Sequence, residues 1–222
     1  MTTPQSLTQQ LAEAKAASSK RIPEDARAVM NQATEELQQT KLAEQSLSQG
    51  DRLPDVILPN VTGKSIRLYD LWKQGPLVIS FYRGQWCPYC NLELKALQSV
   101  VAQVKADGAS LVAISPQTPD PSLSTQEKNE LEFEVLSDVG NSVARQFGLV
   151  FTLPENLRSV YEGFGLDLPA HNGDRTFELP ISATYVVATD GTVTYAFADA
   201  DYTRRADSSD VLQALETLKA GV

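Results

Sequence analysis

Residues 77–101 read LVISFYRGQWCPYCNLELKALQSVV and join an apolar run to a helical pattern through two cysteines that are three positions apart. Residues 77–81 are short, apolar and preceded by Gly75-Pro76, which predicts a strand buried on both faces. After the cysteines, apolar side chains recur at spacings of three and four, at Leu94, Leu97 and Val101. That spacing predicts a helix with one face turned inward.

Pro88 lies where the first residue of this helix is expected, because its fixed φ suits that position and its missing amide hydrogen costs nothing there. Cys87 is therefore predicted at the N-cap and Cys90 in the first turn. Unpaired amides and the helix dipole favour a thiolate at this end, where cysteine pKa values fall to roughly 3.5–7.5 from about 8.5. The pair is expected to open and close as a disulfide. The pKa should fall most for the sulfur nearer the helix start.

Three other roles for the cysteines fit the sequence less well. A structural disulfide across three residues closes too small a loop to remove much chain entropy. A metal site needs two more ligands, but the chain has a single histidine, His171, and no second cysteine pair, so neither a metal nor a cofactor is predicted. Packing as two buried apolar residues is the remaining alternative, since free cysteine is common in protein cores.

Composition favours a globular protein without a polyanionic partner. The 222 residues are 42% hydrophobic and carry a formal net charge of −9. An acidic surface repels nucleic acids and anionic membranes, so neither is predicted as a partner. No apolar run reaches membrane-spanning length, and the first residues lack the basic and apolar regions of a secretory signal. We therefore expect a cytoplasmic protein, in which a disulfide would be transient and catalytic.

The chain is predicted to divide near residue 50. Residues 5–49 contain no aromatic residue and are rich in Ala, Gln, Glu and Leu, a composition that favours helix. Pro23, followed by Glu24 and Asp25, marks the start of a second helix, and Gly50 ends the segment. We expect residues 1–50 to form a helical N-terminal arm that packs on the rest of the chain, meets its copy in a homodimer or stays partly mobile.

From residue 51 onward, strand patterns alternate with helix patterns. Two hairpins are predicted, at residues 55–68 around Gly63 and at residues 182–197 around Asp190-Gly191. Further strands are predicted at 110–115 and 134–138, and further helices near 124–129, at 141–147 and at 209–219. Helices between parallel-type strands, with a hairpin at the end, predict an α/β fold with a three-layer mixed sheet.

Residues 51–220 resemble the peroxiredoxin-like branch of the thioredoxin fold, which includes alkyl hydroperoxide reductases and thiol-specific antioxidant proteins. The resemblance depends on segments that occur in order: LPD at 53–55, FYRGQWCPYC at 81–90, SPQ at 115–117, LSD at 136–138, VARQFG at 143–148 and ATYVV at 183–187. It implies a thioredoxin-like domain over residues 51–222, with a central mixed β-sheet flanked by helices. It also implies a thiol-dependent peroxidase.

The resemblance implies roles for particular residues. In the family the attacking cysteine follows an aromatic strand end by about eight positions and a threonine by three, which places Cys90 at the attacking position and Cys87 where the threonine is expected. The family's arginine, contributed by a later strand, is matched by Ser182. The positive charge of the family's arginine would then come from Arg83 or from the pair Arg204 and Arg205. For that pair, an ordinary solvated surface position is an equal alternative.

A thioredoxin-like interpretation starts from the same residues. WCPYC resembles the dithiol sites of thioredoxins and glutaredoxins, in which the first cysteine attacks a substrate disulfide and the second resolves the product. The position at the helix start favours Cys87 as that attacker. Thioredoxins also carry a cis-proline ahead of the strand that faces the motif. Pro180 is the candidate for it, and the start of an ordinary strand is the alternative.

Residues around the motif have both a functional and a structural interpretation. The candidate substrate-binding residues are Arg83, Trp86, Tyr89 and Ser182. The two aromatic residues among them would shield the sulfurs or simply pack. His171 fits a turn better than it fits a catalytic base. Glu93 is expected to be an exposed helical carboxylate rather than a proton relay.

We expect a thiol-dependent antioxidant oxidoreductase. In the leading hypothesis, hydrogen peroxide or an alkyl hydroperoxide oxidises Cys90 to a sulfenic acid, and Cys87 condenses with it to a disulfide. Thioredoxin or a low-molecular-weight thiol then reduces both. The first alternative is a disulfide reductase with Cys87 leading and no peroxide step. The second is a non-catalytic interaction protein whose cysteines sense redox state.

Overall fold

The computed structural model describes residues 5–220. The helices are α1 (Leu7–Ser19), α2 (Glu24–Gln39), α3 (Leu42–Gln45), α4 (Leu68–Trp72), α5 (Pro88–Ala106), α6 (Pro119–Lys128), α7 (Ser142–Gln146), α8 (Glu155–Gly163), α9 (Leu168–Asn172) and α10 (Ser208–Ala220). The strands are β1 (Ile57–Pro59), β2 (Ser65–Arg67), β3 (Leu77–Phe81), β4 (Ser110–Ser115), β5 (Glu134–Ser137), β6 (Val150–Thr152), β7 (Glu178–Pro180), β8 (Ser182–Val187) and β9 (Val193–Asp199). Across residues 5–220, no helix is both long and apolar enough to cross a membrane.

The central sheet has five strands in the order β5-β4-β3-β8-β9. β3 lies in the middle, parallel to β4 and antiparallel to β8, so the predicted mixed sheet is confirmed. Every residue of β3 is buried, and its side chains alternate between two core clusters. Leu77, Ile79 and Phe81 belong to one cluster, and Val78 belongs to the other. The strand that leads into the cysteines is therefore anchored on both faces.

Most elements predicted from residue 51 onward are confirmed. β1 pairs with β2, and β8 pairs with β9, as antiparallel hairpins. β4, β5, α7 and α10 have nearly the predicted bounds. α6 begins at Pro119, well before the predicted start near residue 124, because a proline fits the first turn of a helix.

Residues 150–180 form a small substructure that the sequence pattern did not predict. β6 and β7 pair with each other outside the central sheet, and α8 and α9 lie between them in the chain. The apolar residues of this segment form a third core cluster with Ala33 of α2. Its other buried members are Leu153, Leu157, Tyr161, Leu168 and Leu179. This cluster brings Tyr161 of α8 beside the cysteine motif.

The N-terminal helices pack against the rest of the chain, which is the first of the three arrangements expected for them. Leu7 and Leu11 of α1 are buried in a core cluster that also contains residues of α5 and α10. α2 packs on α8 and begins at Glu24 with Pro23 as its N-cap, as predicted. The division of the chain into domains near residue 50 stays a prediction.

Candidate active site

The two cysteines lie at the predicted junction, between the end of β3 and the start of α5. Cys87 is the N-cap of α5, Pro88 is in its first turn, and Cys90 follows in the same turn. The Cys87 amide donates to the Gly84 carbonyl at 3.1 Å, which closes the loop before the helix. Both cysteines are free thiols with 0% exposure. Neighbouring side chains must therefore move before a substrate can reach the sulfurs.

Each sulfur has its own guanidinium group. Arg83 Nη2 donates to Cys87 Sγ at 3.3 Å, and Arg205 Nη2 donates to Cys90 Sγ at 3.2 Å. Arg83 comes just after β3, whereas Arg205 lies in the loop between β9 and α10, and both are buried. Arg204 instead points to solvent, with 65% of its side chain exposed. Of the three arginines considered as replacements for the family's arginine, Arg83 and Arg205 therefore contact the thiols.

Glu93 is buried, so the expectation of an exposed carboxylate is wrong. It follows Cys90 by three positions and therefore shares its inward face of α5. Its carboxylate accepts hydrogen bonds from Arg205 Nε at 2.6 Å, Thr184 Oγ1 at 3.2 Å and Ser80 Oγ at 3.3 Å. Burial raises the pKa of this carboxyl, and Arg205 opposes the rise. Glu93 thus holds the Arg205 guanidinium beside Cys90 and supplies its counter-charge.

The two thiols titrate as a pair in this environment. Burial by itself would raise the pKa of Cys87, but a hydrogen bond from Cys90 and the charges of Arg83 and Arg205 outweigh it and hold that pKa well below the ordinary value. Burial and the neighbouring Cys87 thiolate hold the pKa of Cys90 well above it. These directions favour Cys87 as the first of the two thiols to lose its proton. This agrees with the argument from the helix start and differs from the attacking order that the resemblance implies.

Aromatic side chains pack around the cysteine motif. Trp86 packs edge-on against Tyr161 with ring centroids 5.7 Å apart, and Tyr89 packs against Tyr202 at 5.5 Å. The Arg83 guanidinium lies 5.0 Å from the Trp86 ring centroid and 4.4 Å from that of Tyr202. These cation–π contacts fix the guanidinium beside Cys87. The two aromatic residues of the motif therefore pack against other aromatic rings, and their shielding of the thiols stays a prediction.

Helix α1 braces the loop that carries Arg205. Lys15 Nζ donates to Thr203 Oγ1 at 3.2 Å, two positions before that arginine. The amide and hydroxyl of Thr8 both lie 3.3 Å from a carboxylate oxygen of Asp207, two positions after it. The first helix of the chain therefore helps to position a charge at Cys90.

The remaining candidates lie around the site and not at the sulfurs. Ser182 begins β8, is buried and lines a cavity of about 200 Å³ that Arg83 also borders. Pro180 ends β7, and within residues 5–220 no peptide bond is cis. His171 lies in α9 at a cleft, and burial lowers its pKa. Over the same residues, no group of three or more His, Cys, Asp or Glu side chains could hold a metal ion.

Sequence reasoning missed three residues of the site. The position of Glu93, three residues after Cys90 and directly before the inward-facing Leu94, was a usable signal for burial. Tyr161 and Tyr202 carried no such signal, because each reaches the motif through tertiary structure alone.

Residues 49–196 match the model of the AhpC/TSA family. The putative peroxiredoxin bcp of Buchnera aphidicola subsp. Schizaphis graminum is 34% identical over 104 residues, which cover 47% of this chain and 65% of that protein. Peroxiredoxin Bcp of Escherichia coli (strain K12) is 32% identical over 103 residues, which cover 46% of this chain and 65% of that protein. The chain thus spans slightly less than two thirds of the length of these curated relatives.

A solved structure extends the likeness to most of the chain. The crystal structure of peroxidoxin BcpB from Mycobacterium tuberculosis has a TM-score of 0.60 and 26% sequence identity to this chain. The alignment covers 78% of this chain and 97% of that one. The thioredoxin-like fold predicted from the sequence is confirmed by this similarity.

Proposed function

Because the chain belongs to the AhpC/TSA family, we propose that it is a thiol-dependent peroxidase that reduces hydrogen peroxide or an alkyl hydroperoxide through Cys87 and Cys90. The observation that supports this most directly is the pair of guanidinium groups, Arg83 at 3.3 Å from Cys87 and Arg205 at 3.2 Å from Cys90. Positive charges in a water-poor site stabilise a thiolate and the oxyanion that leaves a peroxide.

The charge distribution supports attack by the Cys87 thiolate. Its sulfur bonds to one peroxide oxygen, the O–O bond breaks, and the departing oxygen takes the proton of Cys90. The resulting Cys90 thiolate, held beside Arg205, displaces hydroxide from the Cys87 sulfenic acid and forms the disulfide. With one further proton, two thiols and one hydroperoxide give one disulfide, one alcohol and one water. Attack by Cys90, which the resemblance implies, gives the same products with the roles of the two cysteines exchanged.

In this proposal, the substrate reaches the sulfurs past the side chains that surround the motif. Arg83, Trp86 and Tyr89 border a cleft on one side of the motif, and Ser182 with Arg83 borders the smaller cavity. Thioredoxin or a low-molecular-weight thiol restores both thiols. Disulfides in a reducing compartment are usually transient and catalytic, so we place the cycle in the cytoplasm. A homodimer is part of the same proposal and is tested by light scattering.

A disulfide reductase is the second candidate, and the asymmetry of the two thiols favours it. A low pKa at Cys87 and a high one at Cys90 suit a pair in which the first attacks a substrate disulfide and the second resolves the mixed disulfide. Such an enzyme would reduce a model disulfide rapidly and react slowly with peroxide.

Single-turnover kinetics test the proposal. Reduced protein is mixed with hydrogen peroxide, and both thiols are expected to be lost within seconds. Cys90→Ser should still consume one peroxide and leave a sulfenic acid on Cys87 that dimedone labels, whereas Cys87→Ser should react far more slowly. The reverse result would assign the attack to Cys90. Thiols that persist in peroxide while a model disulfide is reduced would support the reductase instead.

A further inference from the structure

A cleft of about 570 Å³ opens beside the dithiol, between the cysteine motif and the N-terminal helices. Arg83, Trp86 and Tyr89 form its wall on the motif side, and Arg21 with Met30 lies on the opposite side. Its lining includes two arginines and no aspartate or glutamate, although the whole chain carries a net charge of −9. The cleft is thus a cationic, partly aromatic site on an acidic protein, and it favours anionic ligands.

Arg83 and Arg205 differ in their counter-charges. Arg205 pairs with the buried carboxylate of Glu93 at 2.6 Å. Arg83 forms no ion pair with a carboxylate in the part of the chain that the structure describes, and its partners are the Tyr161 hydroxyl at 3.0 Å and Cys87 Sγ at 3.3 Å. When Cys87 is deprotonated, its thiolate is the anion that balances Arg83 in the reduced protein.

Two buried donors at this cleft also lack acceptors. Arg83 Nε and Trp86 Nε1 have no hydrogen-bond partner within residues 5–220, and both side chains line the cleft. Buried N–H groups are normally paired, so Arg83 Nε is suited to an acceptor that the protein itself does not provide. Trp86 Nε1 lies against Gly84. Carboxylate oxygens form strong, charge-assisted hydrogen bonds with a guanidinium group.

Oxidation changes the charge of the cleft. When Cys87 and Cys90 join as a disulfide, the thiolate disappears and Arg83 keeps its positive charge with no counter-ion from residues 5–220. A buried cation without a partner is unfavourable and attracts an anion. The oxidised form, and not the reduced form, is therefore the one that recruits an anionic ligand.

We infer that this cleft binds a carboxylate-bearing low-molecular-weight thiol, of the glutathione class, as the reductant of the Cys87–Cys90 disulfide. The inference rests on the proposed dithiol cycle and names its reductant. Both sulfurs have 0% exposure and neither cysteine lines the cleft, so side chains of its wall must move before the bound thiol reaches Cys87. A small thiol needs a narrower opening for this than a protein reductant does.

The reduction balances with two small thiols. The first, as a thiolate beside Arg83, attacks the Cys87 sulfur, the S–S bond breaks, and Cys90 leaves as a thiolate next to Arg205 and takes up a proton. The second small thiolate attacks the small-molecule sulfur of the mixed disulfide. This attack releases the Cys87 thiolate beside Arg83. The two small thiols leave joined as a symmetric disulfide. Two thiols are oxidised and one protein disulfide is reduced.

Binding is tested with S-methylglutathione, which keeps both carboxylates but cannot react. The disulfide form is prepared with diamide and the dithiol form with a phosphine, and each is titrated by calorimetry. We expect the disulfide form to bind about tenfold more tightly, which corresponds to about 1.4 kcal/mol. Arg21→Ala should weaken that binding severalfold. Arg204→Ala removes an exposed arginine outside the cleft and should leave it unchanged.

Turnover separates the possible reductants. Arg21→Ala should raise the KM for glutathione and leave the rate with uncharged 2-mercaptoethanol unaltered. Equal affinity of both redox forms for S-methylglutathione, an unchanged KM in Arg21→Ala, or faster reduction by thioredoxin than by glutathione would overturn the inference. Because diamide forms the disulfide without peroxide, these results stand apart from the peroxidase assay. Failure of peroxide to oxidise the thiols would refute the proposed function and leave the binding result intact.

Discussion

Replacing Arg205 by methionine should destabilise the protein strongly, because it leaves Glu93 buried without its counter-charge. The two side chains are 0% and 1% exposed, and 2.6 Å separates Arg205 Nε from the carboxylate. Breaking a buried ion pair by removing one partner costs about 3–5 kcal/mol. With a urea dependence of about 2–3 kcal/mol per molar for a chain of this size, the unfolding midpoint at pH 7 should fall by about 1–2.5 M.

The neighbouring arginine supplies a matched control. Arg204 has 65% of its side chain exposed and pairs with Asp199 at 3.1 Å, an arrangement worth about 0–1 kcal/mol. Arg204→Met should therefore shift the urea midpoint only slightly. The double variant Arg205→Met with Glu93→Gln removes the unpaired charge and should recover much of the stability that Arg205→Met loses.

The loss should also depend on pH, with a sign set by Glu93. Burial raises the pKa of this carboxyl above its ordinary value, and removal of Arg205 raises it further. The native state then holds a proton that the unfolded state releases, so stability falls as pH rises from about 4.5 through the raised pKa. Urea unfolding at several pH values measures this. The reasoning is refuted if Arg205→Met unfolds at the same urea concentration as Arg204→Met, or if its deficit is the same at acidic and neutral pH.

Three further outcomes are expected. A pH titration of ultraviolet thiolate absorbance should show the two thiolates forming separately. Cys87 should lose its proton well below the ordinary cysteine pKa, and Cys90 only well above it. Two transitions near about 8.5 would contradict the charge assignment. Leu11→Ala in α1 should lower the free energy of unfolding by about 2–5 kcal/mol, whereas exposed Leu123→Ala should change it by about 0.5 kcal/mol or less, both by urea titration. Gly75→Ala should lower the melting temperature, because its new methyl group would overlap a backbone carbonyl oxygen. An unchanged melting temperature would show that the loop rearranges without loss of stability.

The sequence predicted the elements that carry strong local signals. The buried strand before the cysteines, the helix begun by Pro88 and the hairpin at Asp190-Gly191 each have a periodicity, a cap or a turn that acts within a few residues. The segment at 150–180 has no comparable signal, because its strands are three residues long and α8 buries only Leu157 and Tyr161. Short elements of this kind are specified by what they pack against.

The chemistry of the site was likewise predictable only where it depends on neighbouring residues in the chain. The thiol pair and the cap position of Cys87 could be predicted, since they depend on neighbours in the chain. The contact of Arg205 with Cys90 could only be named as one option, because 115 residues separate the two. The burial of Glu93 was mispredicted despite its position near Cys90 and Leu94, because a single carboxylate on a helix is usually exposed and its partner, Arg205, is 112 residues away.

The guanidinium beside Cys90 belongs to a late part of the chain, while Lys15 and Thr8 of the first helix hold the loop that delivers it. A nascent polypeptide that has passed residue 90 but not residue 205 already contains both sulfurs and lacks that charge. Contacts over such sequence distances form only after the later segment leaves the ribosome. The order of translation therefore adds the Arg205 charge at Cys90 last, after both sulfurs and after Arg83.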